Sequence, residues 1–243
     1  MKIQPFSTAT LRAALREGWQ IAVATWRPSL AYALVFTVIG ALLLGGLVLA
    51  GLTPFTIAAA GAFMLLGPVF LAGFYGIVAA HEADAPVGAT AISAGFRQAA
   101  PALWALALVG TLLFTIFVTD AAILYSYTIG DTPVRLSEMP ADLRGIFRFL
   151  RWAGASGLLI AFMLYSISVF AVPLLCERRC GLVGAVTASV RAVFANFAPA
   201  MSWALLLAAV IIGSCLLLPL LPLTLPWLAY AGWALYRRVL PVD

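Results

Sequence analysis

The amino-acid sequence predicts an all-α, polytopic membrane protein with six transmembrane helices. Of its residues, 64% are apolar and only 9% are charged, whereas soluble domains carry about 25% charged residues. Several uncharged runs also exceed the roughly 20 residues that a helix needs to cross a bilayer. They are far longer than the strands of a membrane barrel, which have about 10 residues each.

The uncharged runs give the predicted spans in order. The last run, 199–236, is too long for one span and contains Pro219, Pro222 and Pro226, so we predict a hairpin of two spans there. The predicted spans are 28–52, 54–80, 101–127, 154–176, 199–218 and 220–236. Pro68 and Pro173 fall inside two of these spans and predict plain kinks.

Residues 1–27 are predicted to form an amphipathic cytoplasmic segment without a cleavable signal peptide, because they contain charges throughout and no short apolar core. Leu11, Leu15, Trp19, Ala22 and Trp26 are expected to share its apolar face. Across the whole chain, ten Lys and Arg residues fall in predicted inner segments and four in the outer loop. This bias predicts a bacterial inner-membrane protein with both termini cytoplasmic.

A repeated pattern precedes three of the spans. Pro28, Pro101 and Pro199 each follow a stretch that could lie in the membrane interface, and two of these stretches, "VGATAISAGFRQAAP" and "VGAVTASVRAVFANFAP", are alike. Proline suits the first turn of a helix. We therefore predict a unit of interfacial helix, proline, span and return span, used three times on the cytoplasmic side. The alternative is that helices rich in Ala and Leu resemble one another by composition.

The loop 128–153 is the only sizeable predicted outer segment. Its stretch "MPADLRGIFRFLRW" separates an apolar side from a basic side formed by Arg144, Arg148 and Arg151. This pattern predicts a helix on the outer leaflet, and a helix that caps a partner is the alternative.

Asp120 is the one carboxylate inside a predicted span, in "TIFVTDAAILYSY". An intramembrane carboxylate is by default a functional hypothesis. Counted from Pro101, it lies about 28 Å along the helix, near the outer boundary. We expect an anchor or ion-pair partner for Arg144, Arg148 or Arg151. Contact with another subunit and an ion or proton site are the alternatives.

The remaining candidates for chemistry are few. His81, followed by Glu82 and Asp84, is expected to be a solvated helix end, with a metal site as the alternative. Cys176 and Cys180 do not complete a zinc set, although the neighbouring arginines could lower a thiol pKa. Because the sequence also lacks hydrolase, phosphate-loop and dinucleotide motifs, we expect no enzyme, no metal and no cofactor.

Small residues recur every fourth position in the second span, at Ala72, Gly76 and Ala80. Such a ladder lets two helix backbones approach closely. We predict that it packs this helix inside its own bundle.

Five motifs in order, "LREGWQIAVATWRPSLAYALVF", "LLGPVFLAGFYGI", "SISVFAVPLLCERR", "TASVRAVFANFAPAMSWALLL" and "PWLAYAGWALYRR", carry a family resemblance. The chain resembles the bacterial integral-membrane family catalogued as domain of unknown function 2189, over about residues 11–240. The resemblance implies a six-span inner-membrane protein without an established catalytic role, and some relatives are labelled as similar to cytochrome oxidase subunits. Tyr230 and Ala234 stand where relatives often carry histidines, so this chain cannot use a histidine pair there.

The leading functional hypothesis is a non-catalytic accessory or assembly subunit of a larger membrane complex, with a respiratory cytochrome oxidase complex as the specific expectation. The alternative is a transporter or scramblase-like handler of a lipophilic molecule, and a proton path through Asp120 is a third. Expected partners are membrane lipids and other membrane subunits, and not nucleic acid, because the basic residues are scattered. The candidate interaction residues are Asp120, Arg144, Arg148, Arg151, Trp19 and Trp26.

Overall fold

A computed structural model describes residues 2–49, 55–128 and 143–241, and the described residues form ten α-helices without a strand. The helices are α1 (Thr8–Ala24), α2 (Trp26–Leu49), α3 (Phe55–Glu82), α4 (Ala89–Gln98), α5 (Ala102–Thr128), α6 (Leu143–Ser168), α7 (Ala171–Cys176), α8 (Leu182–Ala195), α9 (Phe197–Leu216) and α10 (Leu221–Val239). The all-α prediction is confirmed.

Five helical segments in the described ranges are long and apolar enough to cross a membrane. They are Trp26–Leu43, Ala102–Leu124, Arg151–Cys176, Phe197–Ser214 and Leu218–Val239. They coincide with five of the six predicted spans, including both arms of the hairpin. The remaining prediction, 54–80, falls on the 28-residue helix α3, and its crossing stays a prediction.

The order short helix, long helix, return limb occurs three times in the described chain. The first unit is α1, α2 and α3, the second is α4, α5 and the pair α6–α7, and the third is α8, α9 and α10. Pro28 and Pro199 occupy the third position of their long helices, and Pro101 directly precedes α5. Proline is tolerated there because the first backbone N–H groups of a helix have no partner within it.

Each short helix packs on the return limb of a neighbouring unit. Helix α4 lies against α3, α8 against α6 and α7, and α1 along α10. Since α10 belongs to the last unit and α1 to the first, the three units close into a ring. We call the end of the bundle where α3, α7 and α10 terminate the packed end.

The packed end holds much of the protein's core. Leu174, Leu175, Leu235, Tyr236 and Leu240 are fully buried there. In contrast, α2, α5 and α9 expose large apolar side chains such as Leu42, Leu112 and Leu205. Exposed leucines on long apolar helices are what a lipid-facing surface requires.

The buried face of α1 overlaps the predicted apolar face, because Leu11 is buried and Leu15 and Ala22 pack against the core, but it is rotated away from Trp19. Leu11, Ala14, Gly18 and Ile21 are buried, whereas Trp19 is 54% exposed. The small residues decide the face because they let α1 approach α10 closely. A Cβ added to Gly18 would lie only 2.7 Å from the Ala231 Cα.

The same device joins α4 to α3. A Cβ on Gly95 would lie 2.9 Å from the Gly76 Cα, and Gly76 and Ala72 are both buried. The predicted small-residue ladder therefore packs α3 inside its own bundle, as expected. Close approach of this kind is effective in a membrane, where apolar helices gain little by leaving lipid and depend on van der Waals contact.

The return limb of the second unit breaks between α6 and α7 near Pro173. Proline lacks the N–H of a helical hydrogen bond and its ring clashes with the carbonyl four residues earlier, here that of Val169. Ser189 of α8 stabilises the break, because its Oγ accepts from the Phe170 N–H (3.1 Å) and donates to the Ser166 carbonyl (2.8 Å). The predicted kink is therefore a short interruption held by another helix.

The amphipathic stretch before the fourth predicted span also differs in detail from expectation. Helix α6 begins at Leu143 and continues without interruption through Gly154. The amphipathic residues are thus the first turns of the same helix, since nothing between them and the span breaks the helical pattern. The rest of the predicted loop, 129–142, lies outside the described residues.

Replacing Gly18 by Ala should destabilise the protein, by about 1–3 kcal/mol, because the new methyl group meets the backbone of Ala231, which cannot move aside. Gly213 is the matched helical control, since a Cβ there meets nothing within 4 Å. The measurement is thermal or denaturant unfolding in detergent. Equal stability of the Gly18→Ala and Gly213→Ala variants would contradict the close contact.

Candidate binding site at the packed end

The stretch Glu177-Arg178-Arg179, directly after α7, connects three parts of the packed end. Arg179 reaches the end of α10, where its guanidinium donates to the Tyr236 hydroxyl (2.9 Å) and to the carbonyls of Leu240 (2.6 Å) and Pro241 (2.7 Å). The last carbonyls of a helix have no partner within it and carry partial negative charge. Arg179 therefore caps α10 from another unit.

Arg178 does the same for α4. Its backbone has a positive φ of 52°, which costs a residue with a side chain about 1–2 kcal/mol. In this conformation the guanidinium donates to the carbonyls of Gln98 (2.6 Å) and Arg97 (3.0 Å). These charge-assisted bonds offset the cost.

Glu177 accepts a hydrogen bond from the Tyr236 hydroxyl and pairs with Arg237 at 2.9 Å. Arg237 also approaches Glu82 at 3.3 Å, and the Trp233 indole N–H donates to Glu82 (3.1 Å). The arrangement joins the ends of α3, α7 and α10. It leaves Arg237 with a buried Nε that has no acceptor among the described residues.

A polar cavity of about 340 Å³ lies beside this network. Gln98, Glu177, Arg179 and Arg237 provide its polar wall. Small residues also line the cavity, namely Ala72, Gly76, Ala79 and Gly95. The cavity thus combines unoccupied volume with fixed hydrogen-bond donors.

An apolar cavity of about 300 Å³ lies further along the same return limbs. Helices from all three units line it, with residues such as Gly67 of α3, Ala107 of α5, Leu164 of α6, Trp203 of α9 and Leu228 of α10. A cavity of this size is at the lower end of the range of small-molecule sites.

Tyr75 lines both cavities. Its ring packs on Trp233 with centroids 4.9 Å apart, and Trp233 faces the polar cavity whereas the preceding Gly232 faces the apolar one. Tyr75 is 5% exposed. The two cavities are therefore neighbours with one aromatic side chain between them.

The predicted partners of Asp120 are not brought to it in the described part of the chain. Asp120 is half-buried on α5, and no ion pair joins it to Arg148 or Arg151, both of which are exposed. The Arg151 guanidinium lies over the Trp152 ring instead, 5.7 Å from its centroid. The Arg144 side chain lies outside the described residues, so the role of Asp120 stays a prediction.

Trp19 and Trp26, the two predicted aromatic contacts, lie at the surface. They are 54% and 55% exposed. Trp19 packs edge-on against Trp227 at 5.9 Å, and Arg27 lies over the Trp26 ring at 5.3 Å. Both tryptophans border a groove of about 120 Å³ with Pro222 and Pro226.

The candidates for metal and thiol chemistry do not gain partners. No group of three His, Cys, Asp or Glu side chains that could hold a metal occurs in the described ranges. Glu82, next to His81, already accepts a hydrogen bond from the Trp233 indole N–H and forms an ion pair with Arg237. Burial raises the pKa of the Cys180 thiol, and nearby Arg179 opposes this only in part. Activation of Cys180 by its arginine neighbours is therefore not supported.

Sequence reasoning missed Tyr75, Glu177, Trp233 and Arg237 as site residues. A signal was present: an Arg-Arg pair follows the second return limb and another, Arg237-Arg238, ends the third. From sequence, the first pair is interpreted as a topology anchor and as a neighbour that could lower a thiol pKa, and not as part of a site. Equivalent charges at equivalent ends of repeated units indicate that the units converge there.

Replacing Arg179 by Gln should lower the free energy of unfolding by about 1–3 kcal/mol, because it removes charge-assisted bonds to the end of α10. Hydrogen exchange of residues 236–241 should accelerate. Arg191→Gln is the control, since Arg191 is exposed and makes no ion pair within the described residues. Unchanged exchange in the Arg179 variant would contradict the capping role.

Comparison with known proteins assigns the chain to a protein family. The profile of one family, described as "Predicted integral membrane protein (DUF2189)", matches residues 55–177, which is just over half of the 243 residues and reaches from α3 to Glu177. No curated protein and no solved structure matches the chain. The chain is an integral membrane protein and belongs to the DUF2189 family.

Proposed function

We propose that the protein binds and handles a lipophilic molecule in the apolar cavity between its three units. The single observation behind this proposal is the cavity itself, about 300 Å³ of space among α3, α5, α6, α9 and α10. Protein interiors are close-packed and contain few voids larger than a water molecule. A ligand that fills this space would add packing contacts with its walls and so stabilise the fold.

The chemistry of the cavity suits an apolar occupant. Two polar side chains on its wall already have partners, because the Tyr165 hydroxyl donates to the Ala200 carbonyl (2.7 Å) and the Ser168 hydroxyl to the Leu164 carbonyl (2.6 Å). The Tyr75 hydroxyl and the Trp203 indole N–H are the polar side-chain groups that remain on the described wall, against many aliphatic side chains. Dispersion contacts with aliphatic and aromatic walls are what the site offers.

The rim of the cavity supports entry from the side of the bundle. Ile211, which lines it, is 40% exposed, and Gly67 and Pro68 are half-buried. A lipophilic molecule dissolved in the bilayer could enter here without crossing water. The alternative function from the sequence, a handler of lipophilic molecules, is therefore the one that the geometry favours.

Replacing Gly67 by Phe should fill the cavity and expel its occupant. A Cβ at Gly67 meets nothing within 4 Å, so the backbone can accept the side chain. Gly46→Phe is the matched control, because Gly46 has equally open surroundings and does not line the cavity. We expect native mass spectrometry in mild detergent to find a bound lipophile on the wild type and on the control, and none on Gly67→Phe.

Identical mass spectra for the wild type and Gly67→Phe would refute this proposal. Transport is a separate step, which flux through proteoliposomes measures. Flux in the wild type that Gly67→Phe abolishes and Gly46→Phe preserves would make the protein a carrier. Binding without flux would make it a holder of the molecule for another component.

An accessory subunit of a larger membrane complex is the second candidate. The exposed Trp19 and Trp26 at the edge of the small groove favour it, since aromatic side chains are frequent anchors of protein interfaces. The assignment to a respiratory complex rests on the family resemblance alone and stays a prediction.

A double variant, Trp19→Ala and Trp26→Ala, tests the second candidate. Crosslinking in native membranes should lose its heteromeric products if these side chains contact a partner. Trp104→Ala on α5 is the control, because Trp104 is as exposed (62%) but lies elsewhere. If the double variant and the control give the same products as the wild type, the tryptophans face lipid only.

A further inference from the structure

We propose that the polar cavity holds the anionic head of the same molecule whose chain occupies the apolar cavity, so that the ligand is a single-chain amphiphile with a phosphate or carboxylate group. This inference rests on the proposed function, because it assumes that the apolar cavity is a binding site. It adds the chemical class of the ligand. The polar cavity supplies what the lining of the apolar cavity lacks, namely charged hydrogen-bond donors.

The two cavities are arranged end to end, as two parts of one elongated site would be. They lie along the same return limbs and share Tyr75, and the adjacent residues Gly232 and Trp233 face one cavity each. A Cβ on Gly232 would lie 4.0 Å from the Tyr75 hydroxyl, in ordinary van der Waals contact, so this residue also borders the Tyr75 side chain. An alkyl chain that runs from one cavity to the other would lie along the Tyr75 ring.

The charge at the polar end favours an anion. Arg179 and Arg237 line the cavity against one carboxylate, that of Glu177. Arg237 pairs with Glu177 and Glu82, whereas Arg179 binds the Tyr236 hydroxyl and two carbonyls and no carboxylate within the described residues. Both nearby carboxylates therefore pair with Arg237, and the Arg179 guanidinium on the wall has no direct ion pair within the described residues.

Helix capping explains part of this charge but not all of it. The carbonyl ends of α7 and α10 attract arginines, and Arg179 serves that purpose. Capping leaves the buried Nε of Arg237 without an acceptor in the described part of the chain. The Nη1 group of Arg237 also has no hydrogen-bond partner among the described residues, because both of its ion pairs use Nη2. A phosphate or carboxylate oxygen in the cavity would bind this part of the guanidinium.

The test compares four probes on the purified full-length protein in nonionic detergent: dodecyl phosphate, dodecanoate, dodecanol and inorganic phosphate. We expect the wild type to bind both anionic amphiphiles about tenfold or more tightly than dodecanol, since hydrogen bonds to charged groups are worth more than neutral ones. Inorganic phosphate should not displace them at equal concentration. Equal affinity for dodecanol and dodecyl phosphate would overturn the inference.

Displacement by inorganic phosphate as effective as by dodecyl phosphate would also overturn it, because the polar cavity would then be a site for free phosphate. Two variants separate the head site from the chain site. Arg237→Gln removes the free donor, and Ala79→Leu narrows the polar cavity while it keeps every charge. Each should remove most of the preference for the anionic probes and leave dodecanol binding unchanged.

The outcomes distinguish the two proposals. If Gly67→Phe abolishes binding of all three amphiphiles while Arg237→Gln and Ala79→Leu keep the anionic preference, the lipophile site stands and the head site is refuted. If Gly67→Phe binds every probe like the wild type, both are refuted. Size-exclusion profiles and melting temperatures establish that each variant is folded, and should Arg237→Gln fail this check, Ala79→Leu decides.

Discussion

The convergence of three helix ends is the constraint on which the rest of this structure depends. Helices α3, α7 and α10 stop at the same end of the bundle, where their last carbonyls lack partners within the helix. Arg178 and Arg179 donate to carbonyls at the ends of α4 and α10. Because these donors come from a single turn after α7, the positions of α4, α7 and α10 are fixed together.

Close packing around that end follows from the small residues. Gly18 against Ala231 and Gly95 against Gly76 bring the short helices onto the return limbs until backbones touch. The short helices complete a ring around the packed end, and the long helices α2, α5 and α9 extend away from it with exposed leucines. The apolar cavity lies where the tightly packed end gives way to the looser part of the bundle, and this explains why it exists.

The span pattern was predictable because the cost of a charge in hydrocarbon acts on each stretch of sequence separately. Uncharged runs and prolines predicted six spans, five of which, including both arms of the final hairpin, coincide with helical segments long and apolar enough to cross a membrane, and the three prolines marked the repeated unit. The buried face of each helix was harder to predict. Glycine and alanine carry little hydropathy, so the apolar pattern of α1 favoured Trp19 over Gly18. The partners of Arg179 lie about 60 residues away at Leu240 and Pro241, and no local pattern encodes such a contact.

Tyr75 and Trp233 divide the molecule by chemistry as well as by position. On one side lie charged side chains, namely arginines and a glutamate, and on the other lie mostly apolar side chains. An amphiphile has the same division within one molecule. A purely apolar ligand would leave the polar cavity empty, and a small anion would leave the apolar cavity empty. Only a ligand with both parts fills both cavities.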